Sequence, residues 1–200
     1  MKMKFNFEGK NIPHIVLSSA SPRRSELLSK LGLKFDVEPV FADESHHGIN
    51  SAKDLVMFLA LKKCQAALKC REYANSTLII SADTVVSHKT IMEKPSSLDE
   101  AREMISSISG KSHSVFTGVC ICNTSYKSFD VFYDETKVFV KKLSPVQIEN
   151  YIKSDEPYDK AGAYAIQGIF GKYIDHIEGS FENVVGLPIQ KLSERLMIHL

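Results

Sequence analysis

The chain has 200 residues, 44% of them hydrophobic and 24% charged, with 25 Lys and Arg set against 24 Asp and Glu. Such a length buries roughly 70% of the unfolded surface without staples, and the mixture excludes long disorder, collagen-like repeats and coiled coil. A net charge of +1 supplies no global field to gather nucleic acid or anionic membrane, so any anion site must be local.

The N-terminus carries Lys2, Lys4 and Lys10, but the apolar stretch from Ile12 to Leu17 is short and interrupted by Pro13 and His14. It reads as neither a signal peptide nor an anchor. Ile15-Val16-Leu17 predicts a short strand running into Ser18-Ser19-Ala20-Ser21-Pro22. Arg23 to Leu31 then shows helical spacing through Leu27, Leu28 and Leu31, stopped by Gly32. A strand is expected around Phe35 to Val37, a polar loop through His47-Gly48, and a helix from about Ala52 to Glu72. Its longest apolar run, Leu55 to Leu61, ends at Lys62-Lys63, well short of the roughly 20 residues a spanning helix needs.

Leu78 to Ala82 reads as a buried strand, Leu98 to about Ile108 as a helix stopped by Ser109-Gly110. Ser112 to Ile121 and Asp130 to Lys141 read as two long strands joined by a polar turn near Asn123 to Ser128. Ser144-Pro145 opens a helix to about Lys153 and a loop-rich stretch reaches Gly171. Tyr173 to Ile177 suggests a strand, and Leu187-Pro188 starts the last helix. No repeat or Gly/Ser linker divides the alternating elements, so a single α/β domain over residues 1–200, with two lobes around a cleft, is expected. Cys64, Cys70, Cys120 and Cys122 lack zinc-type spacing and fit reduced thiols of a cytoplasmic protein.

Chemistry concentrates at a few places. Ser21 is a good N-cap and Pro22 a good first helical residue, which puts Arg23 and Arg24 in a first turn already positive from the helix dipole. With the hydroxyls of Ser19 and Ser21 they would make a phosphate cradle, although paired or solvated arginines fit the same pattern. Asp83-Thr84 follows the apolar strand, where a carboxylate binds a divalent cation, takes a proton from water, or merely bonds its own turn. Lys94 precedes Pro95, which extends the backbone and projects the ammonium outward. Glu44 offers a further hard oxygen or is a solvated loop acid. Asp159-Lys160 and Gln167 lie in a stretch rich in small residues, and the Gln167 amide suits the reading of a base edge. His113 alternates with Val115, Thr117 and Val119 and reads as a hydrogen-bonded structural histidine, while His46-His47 lacks partners at metal spacing.

Taken in order, these blocks resemble the Maf (septum-formation-inhibitor) family of nucleoside triphosphate pyrophosphatases. The similarity runs from about Ile15 to Ile189 through Ser18-Ser19-Ala20-Ser21-Pro22-Arg23-Arg24, Ala82-Asp83-Thr84-Val85-Val86, Lys94-Pro95, Ser109 to Val119, Glu156 to Gly168 and Gly179 to Pro188. The resemblance implies an elongated mixed sheet with flanking helices, Maf- or ITPase-like, with two lobes around a deep cleft. It also implies a cytoplasmic enzyme that releases pyrophosphate from a nucleoside triphosphate with Mg2+ or Mn2+, and by analogy a homodimer, with no nucleic-acid or membrane partner. Asp83 matches the proton acceptor, and Glu44, Lys63, Lys94 and Gln167 match cleft positions. Asp83 and Glu44 would serve the metal, with Asp83, Glu44 and Lys94 as the catalytic set. Ser19, Ser21, Arg23, Arg24, Lys63, Thr84, Asp159, Lys160 and Gln167 would hold the substrate.

Arg23, Thr84 and Gln167 agree with the dTTP/UTP subgroup rather than the sister subgroup acting on methylated GTP. Modified pyrimidine triphosphates fit the same pattern. The chain departs from the family at Ser87-His88-Lys89-Thr90, where a Gly is common, at Ala165, where Gly is usual, and at Cys64, where Ala is common. A nucleotide-binding regulator of cell division with incidental hydrolysis is the alternative of a different class.

Overall fold

A computed structural model describes Phe7, residues 12–46, 48–74 and 76–200. Lys2, Lys4, Lys10 and His47 lie outside the described residues. The chain builds strands β1 His14–Leu17, β2 Asp36–Val37, β3 Thr77–His88, β4 Thr90–Met92, β5 Ser112–Asn123, β6 Ser128–Val140 and β7 Ile174–Glu178. Helices α1 Pro22–Ser29, α2 Ala52–Cys70, α3 Leu98–Ile108, α4 Pro145–Ile152, α5 Phe181–Val185 and α6 Ile189–Leu196 alternate with them. The expected mixed α/β class with flanking helices is present.

The sheet runs β2-β1-β3-β5-β6-β7, with β4 added beside β3. β1 pairs in parallel with β2 and β3, and every other pairing is antiparallel. Alternation along β3 sorts its two faces. Leu78, Ile80 and Ala82 join Val119 and Ile121 under Leu27 and Leu28 of α1 and Ile189, Leu192 and Leu196 of α6. Ile79 faces the other way, with Cys120 and Cys122, under Ala60, Cys64 and Ala67 of α2. Beyond Asp83 the partners change: Val86, Val115, Val138 and Val140 support α3, α4, Tyr164 and Phe170, while Val85 packs under Leu55, Val56 and Leu59 of α2.

Three local expectations change. The strand expected over 78–82 is twelve residues long, because β5 pairs with it continuously from Leu78↔Asn123 to Ser87↔Ser114. Its end turns back through Lys89 (φ 65°) into β4. The last helix starts after Leu187-Pro188 as expected, but a short helix that was not expected, α5, precedes it and ends at Gly186, whose φ is 121°. The loop-rich stretch expected as far as Gly171 contains three short 3-10 turns, the last running on to Tyr173.

One feature of the sheet positions the site. β1 stops opposite Ile80, and Ser18 adds its amide to the Ile80 carbonyl at 2.7 Å. β4 begins only opposite Val86. Among the described residues, positions 81–85 of β3 therefore have no strand neighbour on that edge, and Asp83, Thr84 and Val85 line a cleft there.

Candidate active site

A cleft of about 850 Å3 lies at this gap. It receives side chains from α1, the loop before α2, α2, β3, the segment after β4, and residues 159–167. Every site residue expected from the sequence lines it except Ser19, which is buried behind Arg24.

Asp83 and Thr84, being consecutive on a strand, point to opposite faces and make different contacts. Asp83 is 8% exposed and faces α2. Lys63 reaches from that helix to place Nζ 2.5 Å from Asp83 Oδ1 and 2.9 Å from Glu44 Oε1. The neighbouring Lys62 turns outward and fixes the Glu44 loop, donating to Asp43 Oδ2 and the Ser45 carbonyl at 3.2 Å each. Asp43 also accepts from the Ser45 amide at 3.0 Å and hydroxyl at 2.6 Å. These bonds pull the Asp43 carboxyl down to about 2, the Ser45 hydroxyl and amide acting most strongly. For Glu44, partial burial pushes upward, but the Lys63 ammonium and the charges of Lys94 and Arg24 outweigh it and hold the carboxyl below its usual range.

On the other face, Thr84 meets α1. Arg24 donates from Nε to the Gly186 carbonyl at 2.9 Å, from Nη2 to Thr84 Oγ1 at 3.2 Å and from Nη1 to Ser19 Oγ at 3.4 Å. Burial lowers its pKa, opposed by the charge of Asp83. Arg24 also lines the cleft, and a guanidinium there suits a phosphate oxygen. Behind it, Thr84 Oγ1 lies 2.9 Å from Thr117 Oγ1, and Thr117 donates to the Asn183 carbonyl at 2.9 Å. Ser21 occupies the N-cap position as expected, but its hydroxyl makes no capping bond. The Ser19 hydroxyl instead accepts from the Ser21 amide at 3.2 Å.

The opposite wall carries Asp159, held below its usual range first by its hydrogen bond from Lys160 and further by Arg23. Gln167 is exposed on this wall, next to the partly buried Ile166. His46 and Glu93 approach across the rim, Nε2 to Oε1, at 3.1 Å. Sequence reasoning did not assign Thr117, Asn183, Gly186 or Glu93 a part in the site. Thr117, Asn183 and Gly186 lie within the blocks Ser109 to Val119 and Gly179 to Pro188 that carry the resemblance, the one signal that could have found them, and Glu93 only adjoins Lys94-Pro95.

Among the described residues no three His, Cys, Asp or Glu side chains cluster as a closed metal cage. Asp83 and Glu44 nevertheless converge on one cation, the Lys63 ammonium. Two carboxylates, completed by phosphate oxygens and water, are the donor set Mg2+ or Mn2+ uses with a nucleotide. The residues present fit such an ion carried in with substrate. The arrangement as a whole, a fixed carboxylate in a cleft with cationic walls, suits attack by water on a phosphoanhydride.

A family model described as Maf-like protein matches residues 14–198. A dTTP/UTP pyrophosphatase of Caldicellulosiruptor saccharolyticus is 46% identical over 184 residues, covering 91% of this chain and 92% of its own. One from Desulforamulus reducens is 44% identical over 91% and 94% of the two chains, and one from Bacillus cereus 40% over 94% and 91%. Among solved structures, the Staphylococcus aureus Ham1 protein aligns over 94% of this chain and 100% of its own at 11% identity and a TM-score of 0.49.

Proposed function

The chain belongs to the Maf family, and on that premise we propose that it is a nucleoside triphosphate pyrophosphatase whose substrates are dTTP and UTP. The names of the relatives support the activity. The observation that carries the reading onto this chain is Lys63, which joins Asp83 and Glu44 at 2.5 and 2.9 Å in a cleft that also holds Arg23, Arg24 and Lys94.

Asp83, fixed by Lys63, orients a water and accepts its proton. The water oxygen forms a bond to the α-phosphorus as the bond from that phosphorus to the bridging α,β-oxygen breaks, giving monophosphate and pyrophosphate. Arg23, Arg24 and Lys94 bind the polyphosphate and stabilise charge on the departing pyrophosphate. Asp83 and Glu44 would hold a divalent ion, which would neutralise phosphate oxygens when bound. Lys63 keeps both carboxylates aimed at one point, Thr84 and Ser19 brace Arg24, and Ser21 borders the phosphate side. Asp159 and Lys160 face Arg23 across the cleft. Gln167 reads the pyrimidine edge with its paired donor and acceptor, and together with Arg23 and Thr84 it favours dTTP and UTP over methylated GTP.

The same proposal takes residues 1–200 as one domain working in the cytoplasm as a homodimer. No helix among the described residues is long and apolar enough to cross a membrane. The test is pyrophosphate release from a panel of canonical, methylated and modified nucleoside triphosphates with Mg2+ or Mn2+, and again after chelation. Turnover of dTTP and UTP that stops on chelation is expected; release of no pyrophosphate from any of them refutes the proposal.

A further inference from the structure

Gln167 is the residue expected to meet the base, yet Gln167, Gly168 and Ile169 are all exposed, so apolar packing of these side chains does not fix where the amide sits. The turn that carries it is closed by the Gly168 amide, which donates to the Ala165 carbonyl at 3.1 Å. Behind the turn stands Glu156, a partly buried residue that is not among those lining the cleft. Its Oε2 accepts from the Ile169 amide at 2.5 Å and its Oε1 from the Phe170 amide at 3.1 Å. A backbone amide only donates, so both carboxylate oxygens act as acceptors.

The Tyr151 hydroxyl, at the end of α4, donates to the same Oε1 at 3.0 Å and to the Ala163 carbonyl at 2.9 Å. One hydroxyl and one carboxylate therefore hold the chain on both sides of Gln167, at residue 163 before it and at residues 169 and 170 after it. Gly168 makes the approach possible: a Cβ there would lie 2.1 Å from Glu156 Oε2 and 2.5 Å from Glu156 Cδ, so the carboxylate rests directly on the backbone next to Gln167. The support beneath is apolar. Phe170 is fully buried, its ring centroid 4.9 Å from that of Tyr151 and 5.0 Å from that of Tyr164.

We propose that Glu156, together with Tyr151, is a positioning residue that fixes where Gln167 meets the base and thereby sets the preference for pyrimidine over purine triphosphates without touching the nucleotide. The proposal deepens the pyrophosphatase reading and rests on it. A clamp that serves base binding acts alike on bound substrate and transition state, so its loss raises KM and spares kcat.

The test uses Glu156→Gln in the full chain, which keeps the size of the side chain but turns one acceptor oxygen into an NH2 donor facing an N–H. It is expected to raise KM for dTTP and UTP about tenfold with kcat within about twofold, and to lower the ratio of kcat/KM for UTP over GTP about tenfold. Hydrogen exchange at the Ile169 and Phe170 amides is expected to quicken about tenfold while the amides of β5 keep their wild-type rates. Tyr151→Phe, which removes only the hydroxyl, is expected to move KM and the ratio in the same direction by about threefold, and it decides the question should Glu156→Gln fail to fold. An unchanged ratio of UTP to GTP in an active variant, or an equal rise in exchange throughout β5, overturns the positioning role. Wild-type protein that releases no pyrophosphate overturns the pyrophosphatase reading and the specificity claim with it, a failure told apart from the first because it precedes any substitution.

Discussion

Gly118 is directly paired with Asp83 across β3 and β5, and the backbone of α2 lies directly against it. A Cβ at this position would sit 2.2 Å from the Val56 carbonyl oxygen, 2.3 Å from its carbon and 2.8 Å from the Met57 amide nitrogen. These are backbone atoms of a helix, so no side chain can swing aside. Gly118→Ala forces α2 to lift by roughly 1 Å or more to restore ordinary contact. Lys63 stands two turns along that helix, and the same lift stretches its 2.5 Å contact with Asp83 beyond hydrogen-bond length. Overpacking of this kind costs about 3 kcal/mol, which for a chain of this size lowers Tm by about 6–12 °C. Thermal denaturation and pyrophosphate release measured on the same preparation check both consequences. A variant that melts within about 3 °C of wild type and retains full turnover would refute the account of how α2 brings Lys63 to the carboxylates.

Other substitutions address single roles. Asp83→Asn is expected to lower kcat by about 100- to 10,000-fold while nucleotide binding, followed by calorimetry, persists; retained turnover removes Asp83 as the base. Gln167→Glu replaces a donor with a second acceptor and is expected to lower kcat/KM for dTTP and UTP by roughly 10- to 100-fold, measured against the same panel of triphosphates. His113 titrates near 4 in the fold against about 6.5 in the unfolded chain. Its folded pKa being depressed, stability is complete above about pH 6.5 and falls as pH drops toward 4, by up to roughly 1 kcal/mol per unit. Urea denaturation across that range is expected to be flatter in His113→Gln; an equal slope in both proteins shows that other groups govern the acid limb.

Much of this was legible from residue order because the signals were local. The Ser-Pro pair opened α1, the Leu27-Leu28-Leu31 spacing gave its buried stripe, and the continuous apolar run around Ile79 and Ile80 marked a strand covered on both faces. The length of β3 was not legible, since Asp83 and Thr84 interrupt the apolar run and only the partner β5 keeps the backbone extended past them. The short helix α5 escaped for a related reason. Gly186 reads as one small residue among many until Arg24 is seen donating to its carbonyl. The residues of the cleft came from motif and chemistry, but their division of labour came from the two faces of a strand. Lys63 turns in and Lys62 turns out, a distinction that two adjacent lysines on a helix do not announce.

The interruption between β1 and β4 has a consequence for how the molecule exchanges with solvent. A sheet edge is ordinarily where backbone amides are shielded least and where foreign strands add on. Here the open stretch, residues 81–85, is short and walled by the loops bearing Glu44 and Gln167, while the same strand's other edge is laddered to β5 throughout. Deuterium uptake will therefore divide β3 within a few residues: amides bonded to β5 stay protonated to the limit of global unfolding, and those turned to the gap exchange until a nucleotide fills it. The strand that carries Asp83 also reports, through its own hydrogens, whether the cleft is occupied.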